Sequence, residues 1–267
     1  MLEQALDFKE ESDVIYALIE PLEEVDYDAP TQFKNWTANQ ILQHLHFFNM
    51  LADLSLTNED EFTRQYDEMK QLRSVGGNIL SVTDELLHGL KGSALKNIWR
   101  DYYFEMADRW IKVDPKKRLK WAGPTMSARS SISARLMETW SHAQALFDSH
   151  GIVRQNTDRI KSVAVLGVNT FGWTFTNRGE DVPKERPFVR LQAPSGKTWE
   201  WGEISDQNYI TGLAEDFCMV VTQTRSIADV SLEVKGEVAT QWMAKAQCFA
   251  GVARDAPKPG TRFACVK

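Results

Sequence analysis

Nowhere in its 267 residues does the chain hold an apolar run approaching the roughly 18 to 20 residues that a membrane-spanning helix requires. It also lacks a basic excess: 37 acidic against 31 basic side chains leave a formal charge of -6, which argues against a nucleic-acid partner. The one basic run, Lys116-Lys117-Arg118 with Lys120, is short and reads as a solvated turn. Cysteine is scarce. Cys218 lies in the apolar run FCMVV and Cys248 in a helical stretch, the settings of buried thiols, and with Cys265 they make an odd, scattered set. The opening MLEQALDFKEESD has no basic segment followed by an apolar one, so no secretory signal is expected. These absences predict a reduced, cytoplasmic protein with no membrane partner. Internal repeats and low-complexity stretches are absent as well.

What is present is helical periodicity through the first 150 or so residues. Leu, Ile and Val recur at helical spacing over 3–20 and stop at Pro21. A second helix starts at Thr37, where Thr37 with Gln40 has the form of a capping box and Trp36 with Ile41 the spacing of a hydrophobic staple; it runs to about Leu56. A third follows Ser93 and ends before Pro115, and a fourth covers about 128–149, with Gly151 placed as its C-terminal cap. The long connection 57–92, with helical pieces and a Gly76-Gly77 break, suits a four-helix bundle with a crossover.

After Gly151 the pattern changes. Residues 158–176 predict a helix, FVRLQAP and TWEWG around Ser195-Gly196 a hairpin, 212–223 a helix, VSLEV (230–234) a strand and 237–249 a last helix. Mixed elements after pure helices predict a second, α+β domain. The expected division is 1–152 for the bundle, 153–253 for the α+β domain and 254–267, with Pro257, Pro259 and Gly260, for a loose tail.

Five histidines occur, and their placement separates them. His44 shares a helix face with Ile41 and Phe48, whereas His46 is turned about 200° away and cannot join the same site. His150 suits a helix C-terminus, and His88 has no evident partner. Glu138 and His142 stand at i and i+4, about 40° apart, so that both can reach one ion. With His44 from a neighbouring helix they make two imidazoles and a carboxylate, a set that leaves a metal position open. The plain alternative is an exposed Glu/His pair. On the helical wheel Leu136, Trp140, Ala143 and Phe147 form the apolar stripe, and Glu138 and His142 lie about 160–200° from Trp140. A site there requires the fourth helix to be covered on both sides, with Ser131, Arg135, Glu138, His142 and Ala145 lining a polar cleft, and a C-terminal domain could supply the second cover. Arg135 shares that face and is either an ion-pair partner of Glu138 or a guanidinium for a substrate carboxylate.

WTANQILQHL (36–45) and MSARSSISARLMETWSHAQAL (126–146) resemble the DinB-like metal-binding bundles, and within them the mycothiol-dependent maleylpyruvate isomerase family. The likeness continues through VAVLGVNTFGWTFTNRG (163–179), ITGLAEDFCMVVTQTRSIADVSLEVKG (210–236) and QWMAKAQ (241–247). It implies a DinB-like four-helix bundle followed by a small α+β domain similar to sterol-carrier modules. It implies a divalent metal on His44, Glu138 and His142, zinc foremost, with nickel or iron also suited to such ligands. A low-molecular-weight thiol and a small-molecule substrate are implied with it. The GQD that often follows the second histidine in relatives reads Ala143-Gln144-Ala145 here, without the acid. The expected function is a metal- and thiol-dependent isomerase or S-transferase acting on a small, unsaturated acid-like electrophile. The alternative is a metal- and ligand-binding protein without turnover. Oligomeric state is not legible in the sequence.

Overall fold

A computed structural model describes residues 1–121 and 123–265. By its contacts the chain divides into two compact units, Met1–Leu146 and Phe147–Lys267. Among the described residues there are ten α-helices and two small sheets. None of the helices is long and apolar enough to cross a membrane.

The first unit is helical. In α1 (Glu3–Ile19) the positions Ala5, Phe8, Ser12, Ile15 and Ile19 are buried at helical spacing, and the helix stops just before Pro21. The second helix, α2 (Ala38–Thr57), begins at a true capping box: the Thr37 hydroxyl accepts from Gln40 N and the Gln40 side chain accepts from Thr37 N. The crossover folds as α3 (Glu59–Ser74), whose first turn is acidic, and α4 (Ile79–Leu86), each opened by an asparagine cap. Gly76, at φ 104°, turns the chain between them. Both helices pack on α2, as does α5 (Gly92–Trp110), which also carries α1. A two-residue ladder, β1 (Arg118–Leu119) with β2 (Met126–Ser127), then leads into α6 (Ala128–His150). Trp99, Trp110 and Trp140 are fully buried in this unit, and burial on that scale supplies its main driving force.

In the second unit a turn at 158–160 precedes α7 (Lys161–Asn169) and α8 (Phe171–Thr176), so the helix expected over 158–176 is broken at Thr170. The hairpin forms as expected, β3 (Phe188–Gln192) against β4 (Thr198–Trp201), with Val189 opposite Trp201 and Gln192 opposite Thr198. A strand absent from the sequence reading, β5 (Tyr209–Leu213), pairs in parallel with β3. It is followed by α9 (Ala214–Val221), β6 (Glu233–Lys235), which completes the order β4-β3-β5-β6, and α10 (Glu237–Lys245). The helices α7 and α9 approach closely at Gly167, where a Cβ would meet Val221 Cγ2 at 2.7 Å. From Arg254 the tail is tied by backbone bonds to side chains, Arg254 N to Gln247 and Gly260 N to Asp229, and by Cys265 N to the Asp148 carbonyl. Residues 266–267 of that tail lie outside the described residues.

Candidate metal centre

Two helices of the first unit supply the candidate ligands. His44 stands two turns into α2, and Glu138 and His142 one turn apart on α6. The Nε2 atoms of His44 and His142 each lie 3.3 Å from the same Glu138 oxygen, Oε2. One donor atom from each of the three residues falls within 4.8 Å of the others, and among the described residues this is the one such group of three or more His, Cys, Asp and Glu.

The electrostatics suit a dication. Burial pulls the His44 imidazole down to about 4, and its hydrogen bond to Glu138 recovers only part of that, so the ring is neutral at pH 7. Burial alone would raise the Glu138 carboxyl, yet the hydrogen bonds from His142 and His44 outweigh it and hold the group well below the usual carboxylate range. Neutral nitrogen and anionic oxygen are the protonation states in which these groups ligate. Nε2 of each ring faces Glu138, and the other ring nitrogen, Nδ1, is buried in both with no hydrogen-bond partner. On donor chemistry the three residues fit a divalent cation.

The polar side of α6 is covered within the first unit itself. Residues 30–37 fold over it: the indole of Trp36 stacks on the His142 ring at 5.3 Å and 8°, and Phe33 meets the same ring edge-on at 5.0 Å. Phe48 packs on His44 at 4.8 Å, and the two imidazoles stand 4.6 Å apart. His142 is therefore only 8% exposed although the helical wheel aims it away from the apolar stripe. The ring contacts of Trp36 run to Phe33, His44 and His142, a role beyond the staple to Ile41 expected from spacing.

Arg135 does not form an ion pair with Glu138. Its Nε donates to Asn49 Oδ1 at 2.9 Å and Nη2 to the Leu45 carbonyl at 3.4 Å, with the guanidinium 6.0 Å from the Phe48 ring. Burial lowers it to about 10, so it remains a cation, 3% exposed and without a carboxylate bonded to it. His46 is turned off the site and packs edge-on against Tyr102, as its place on the wheel requires. The Cys218 thiol is buried and pushed up by that burial, which fits a structural residue and not a nucleophile.

Fold and site together define a protein with a helical N-terminal part, in which a His/Glu/His cluster is buried under aromatic rings, and an α+β C-terminal part. Its sequence between residues 8 and 147 matches the family model of the mycothiol maleylpyruvate isomerase N-terminal domain. Two uncharacterised proteins of Mycobacterium tuberculosis, from strains CDC 1551 and H37Rv, are each 34% identical over 248 residues, spanning 92% of this chain and 94% of theirs. The chain belongs to the mycothiol maleylpyruvate isomerase family. Among solved structures it is similar in fold to the mycothiol-dependent maleylpyruvate isomerase, with a TM-score of 0.52 and 15% identity over 82% of this chain and 88% of that one. A histidine-to-alanine variant of that enzyme matches equally well at 16% identity.

Proposed function

We propose that this protein is a metal- and thiol-dependent isomerase or S-transferase whose metal is held by His44, Glu138 and His142. The observation that carries the reading is the convergence of those three donors within 4.8 Å in a unit that matches the family model. In this reading α1, α2, α5 and α6 are the four helices of a DinB-like bundle spanning about 1–152, and 153–253 is the sterol-carrier-like α+β domain. Two imidazoles and one carboxylate leave room for exogenous ligands, the condition of a catalytic zinc site. A divalent cation there, zinc foremost, would favour the thiolate form of a bound low-molecular-weight thiol at neutral pH.

The chain's own residues do the rest. His44 stays neutral, both rings keep their Nε2 atoms directed at one point, and Glu138 supplies the charge. The aromatic cover of Phe33, Trp36 and Phe48 keeps water from the ligand nitrogens and lowers the local dielectric. Arg135, a buried cation with no carboxylate of its own, is the group that meets the acidic end of a substrate. The class of substrate that suits this set is a small unsaturated acid. Addition of a thiolate to its double bond permits rotation, and expulsion of the thiolate returns the isomer.

Elemental analysis of the purified protein beside His142→Ala tests the site. About one zinc, nickel or iron per chain, lost in the variant, is the expected result, and the metal-loaded protein is then assayed for maleylpyruvate isomerisation with and without mycothiol. A wild-type protein that takes up no metal on reconstitution would remove the enzyme reading and leave a ligand-binding protein. Metal uptake without thiol-dependent turnover would leave a metal-binding one.

A further inference from the structure

Metal-bound histidines ordinarily donate their second ring N–H to a carboxylate, carbonyl or water, and that bond fixes the plane of the ring. Here the bond is missing on both sides, because Nδ1 of His44 and Nδ1 of His142 are buried with no hydrogen-bond partner. Some other contact has to hold the rings in register, and besides the shared Glu138 carboxylate one aromatic side chain touches both. The Trp36 indole lies parallel to His142, 8° between planes at 5.3 Å, and meets His44 at 5.5 Å and 64°.

We propose that Trp36 is a positioning residue of the metal centre, its indole setting the planes of both histidine ligands in place of the usual second hydrogen bond. The inference rests on the metal reading above.

The segment carrying the indole is built to hold it still. Thr31 N donates to the Trp36 carbonyl at 2.9 Å and Trp36 N to the Phe33 carbonyl at 2.8 Å, while Pro30 and Thr37 form a β-bridge. Between Phe33 and Trp36 the chain passes through two successive left-handed residues, Lys34 at φ 53° and Asn35 at φ 58°. Side chains other than glycine enter that region at a cost, and a pair of them marks a turn held by its surroundings. Phe33 then braces the indole edge-on at 5.1 Å and 82°. The very next residue, Thr37, is the cap of α2, so the loop is locked to the helix that bears His44. An indole face is apolar toward the stacked ring and accepts no conventional hydrogen bond from it. A ligand imidazole held this way is fixed in plane without being made more basic, whereas a carboxylate partner would raise its basicity. A metal held there would correspondingly be the stronger Lewis acid.

The test compares Trp36→Leu with Trp36→Phe, reading zinc affinity by competition with a chromogenic chelator and the visible absorption bands of the cobalt(II)-loaded protein. Loss of an outer-shell partner typically costs about 10–100-fold in metal affinity. Trp36→Leu is expected to lose at least about tenfold on that scale and to shift the cobalt bands. Trp36→Phe, which keeps an aromatic plate over His142, is expected to recover most of the affinity and the wild-type spectrum. Should Trp36→Leu fail to fold, the Phe variant still reads the proposal through the position of its cobalt bands. Wild-type affinity and spectrum in Trp36→Leu overturn the inference while leaving the metal reading intact, and so does an equal loss in the two variants. A wild-type protein that binds neither zinc nor cobalt overturns the metal reading itself and the inference with it.

Discussion

Two polar clusters hang from opposite sides of α2, nine residues and about 180° apart, and they are built to different rules. On one side the buried Asp53 carboxylate accepts from Trp110 Nε1 at 2.9 Å, Arg109 Nη2 at 2.6 Å and the Tyr102 hydroxyl at 3.3 Å. Every partner there comes from α5, and the cluster is complete once the two helices meet. On the other side His44 and His142 share a single Glu138 oxygen, and each leaves a buried nitrogen unpaired. A buried unpaired polar group costs about 1–3 kcal/mol. The Asp53 cluster is thus a fastener between helices, whereas the histidine cluster keeps buried nitrogens that no side chain satisfies. Rules of local consistency are broken where function requires it.

The largest separation between the two is expected from zinc. A ligand present at 100 times its Kd stabilises the folded state by about 2.7 kcal/mol. Thermal unfolding of the wild-type protein should therefore shift up by several degrees on zinc addition and fall back with a chelator. Glu138→Gln and His142→Ala should abolish the shift, whereas Asp53→Asn should start from a lower midpoint and keep it. An equal zinc response in the triad variants would erase the distinction.

Next in size is the fastener itself. Asp53→Ala leaves Trp110 Nε1 without its acceptor in a fully buried site, while the half-exposed Arg109 can turn to water. The expected loss is about 2–4 kcal/mol in urea unfolding, between the figures for an orphaned buried donor and for a broken buried ion pair. A loss below about 1 kcal/mol would mean that the node is no more than a surface pair.

Proton linkage sharpens the contrast from a third side, through His46. Burial lowers this ring to about 4 from an ordinary value of 6.5. Between those values the unfolded chain binds a proton that the folded chain refuses, so stability falls as pH drops from 6.5 toward 4, by at most about 1.4 kcal/mol per pH unit. His46→Phe should remove its share of that slope, leaving the share of the equally lowered His44, and keep stability above pH 7 within about 1 kcal/mol, the range of a shape-conserving core exchange. Unfolding midpoints measured from pH 4 to 8 check it, and an unchanged slope would place the acid sensitivity elsewhere.

Much of the helical unit was legible because its signals are local. The Thr37–Gln40 capping box and the stops at Pro21 and Pro115 are short-range signals, and the helices begin and end within about five residues of them. Gly151, read as a C-terminal cap, sits at φ 66° with Ile152 N bonded back to the Phe147 carbonyl. The Glu138–His142 spacing was legible for the same reason. What escaped was non-local. The strand β5 exists by its parallel pairing with β3, about twenty residues earlier, and of its residues only Ile210 is buried, so its own pattern is faint. Trp36 gave the spacing of a staple, and its contact with His142 spans more than a hundred residues. The wheel argument that turned Glu138 and His142 toward water was sound for an isolated helix. It could not foresee that residues 30–37 would close over that face.

The smallest expected effect lies in that closing loop. Lys34 holds φ 53°, where a side chain costs about 1–2 kcal/mol and glycine almost nothing, while glycine also makes the unfolded chain freer by about 0.5–1 kcal/mol. Lys34→Gly should therefore raise stability by about 1 kcal/mol or less, the difference of those two costs. Zinc affinity should stay unchanged, because the turn that delivers Trp36 is a backbone conformation that glycine adopts readily. Lys34→Pro is the opposite case, since proline is fixed near φ -65° and lacks the N–H that Lys34 donates to the Gln32 carbonyl at 3.0 Å. It should open the loop and take zinc affinity down with it, while the Asp53 node on the far side of α2 holds the helices together as before. If Lys34→Gly instead lowers stability, the lysine ammonium over the Phe33 ring, 5.2 Å from its centre, outweighs the backbone strain, and the aromatic cover of the site is held by side chains more than by the turn.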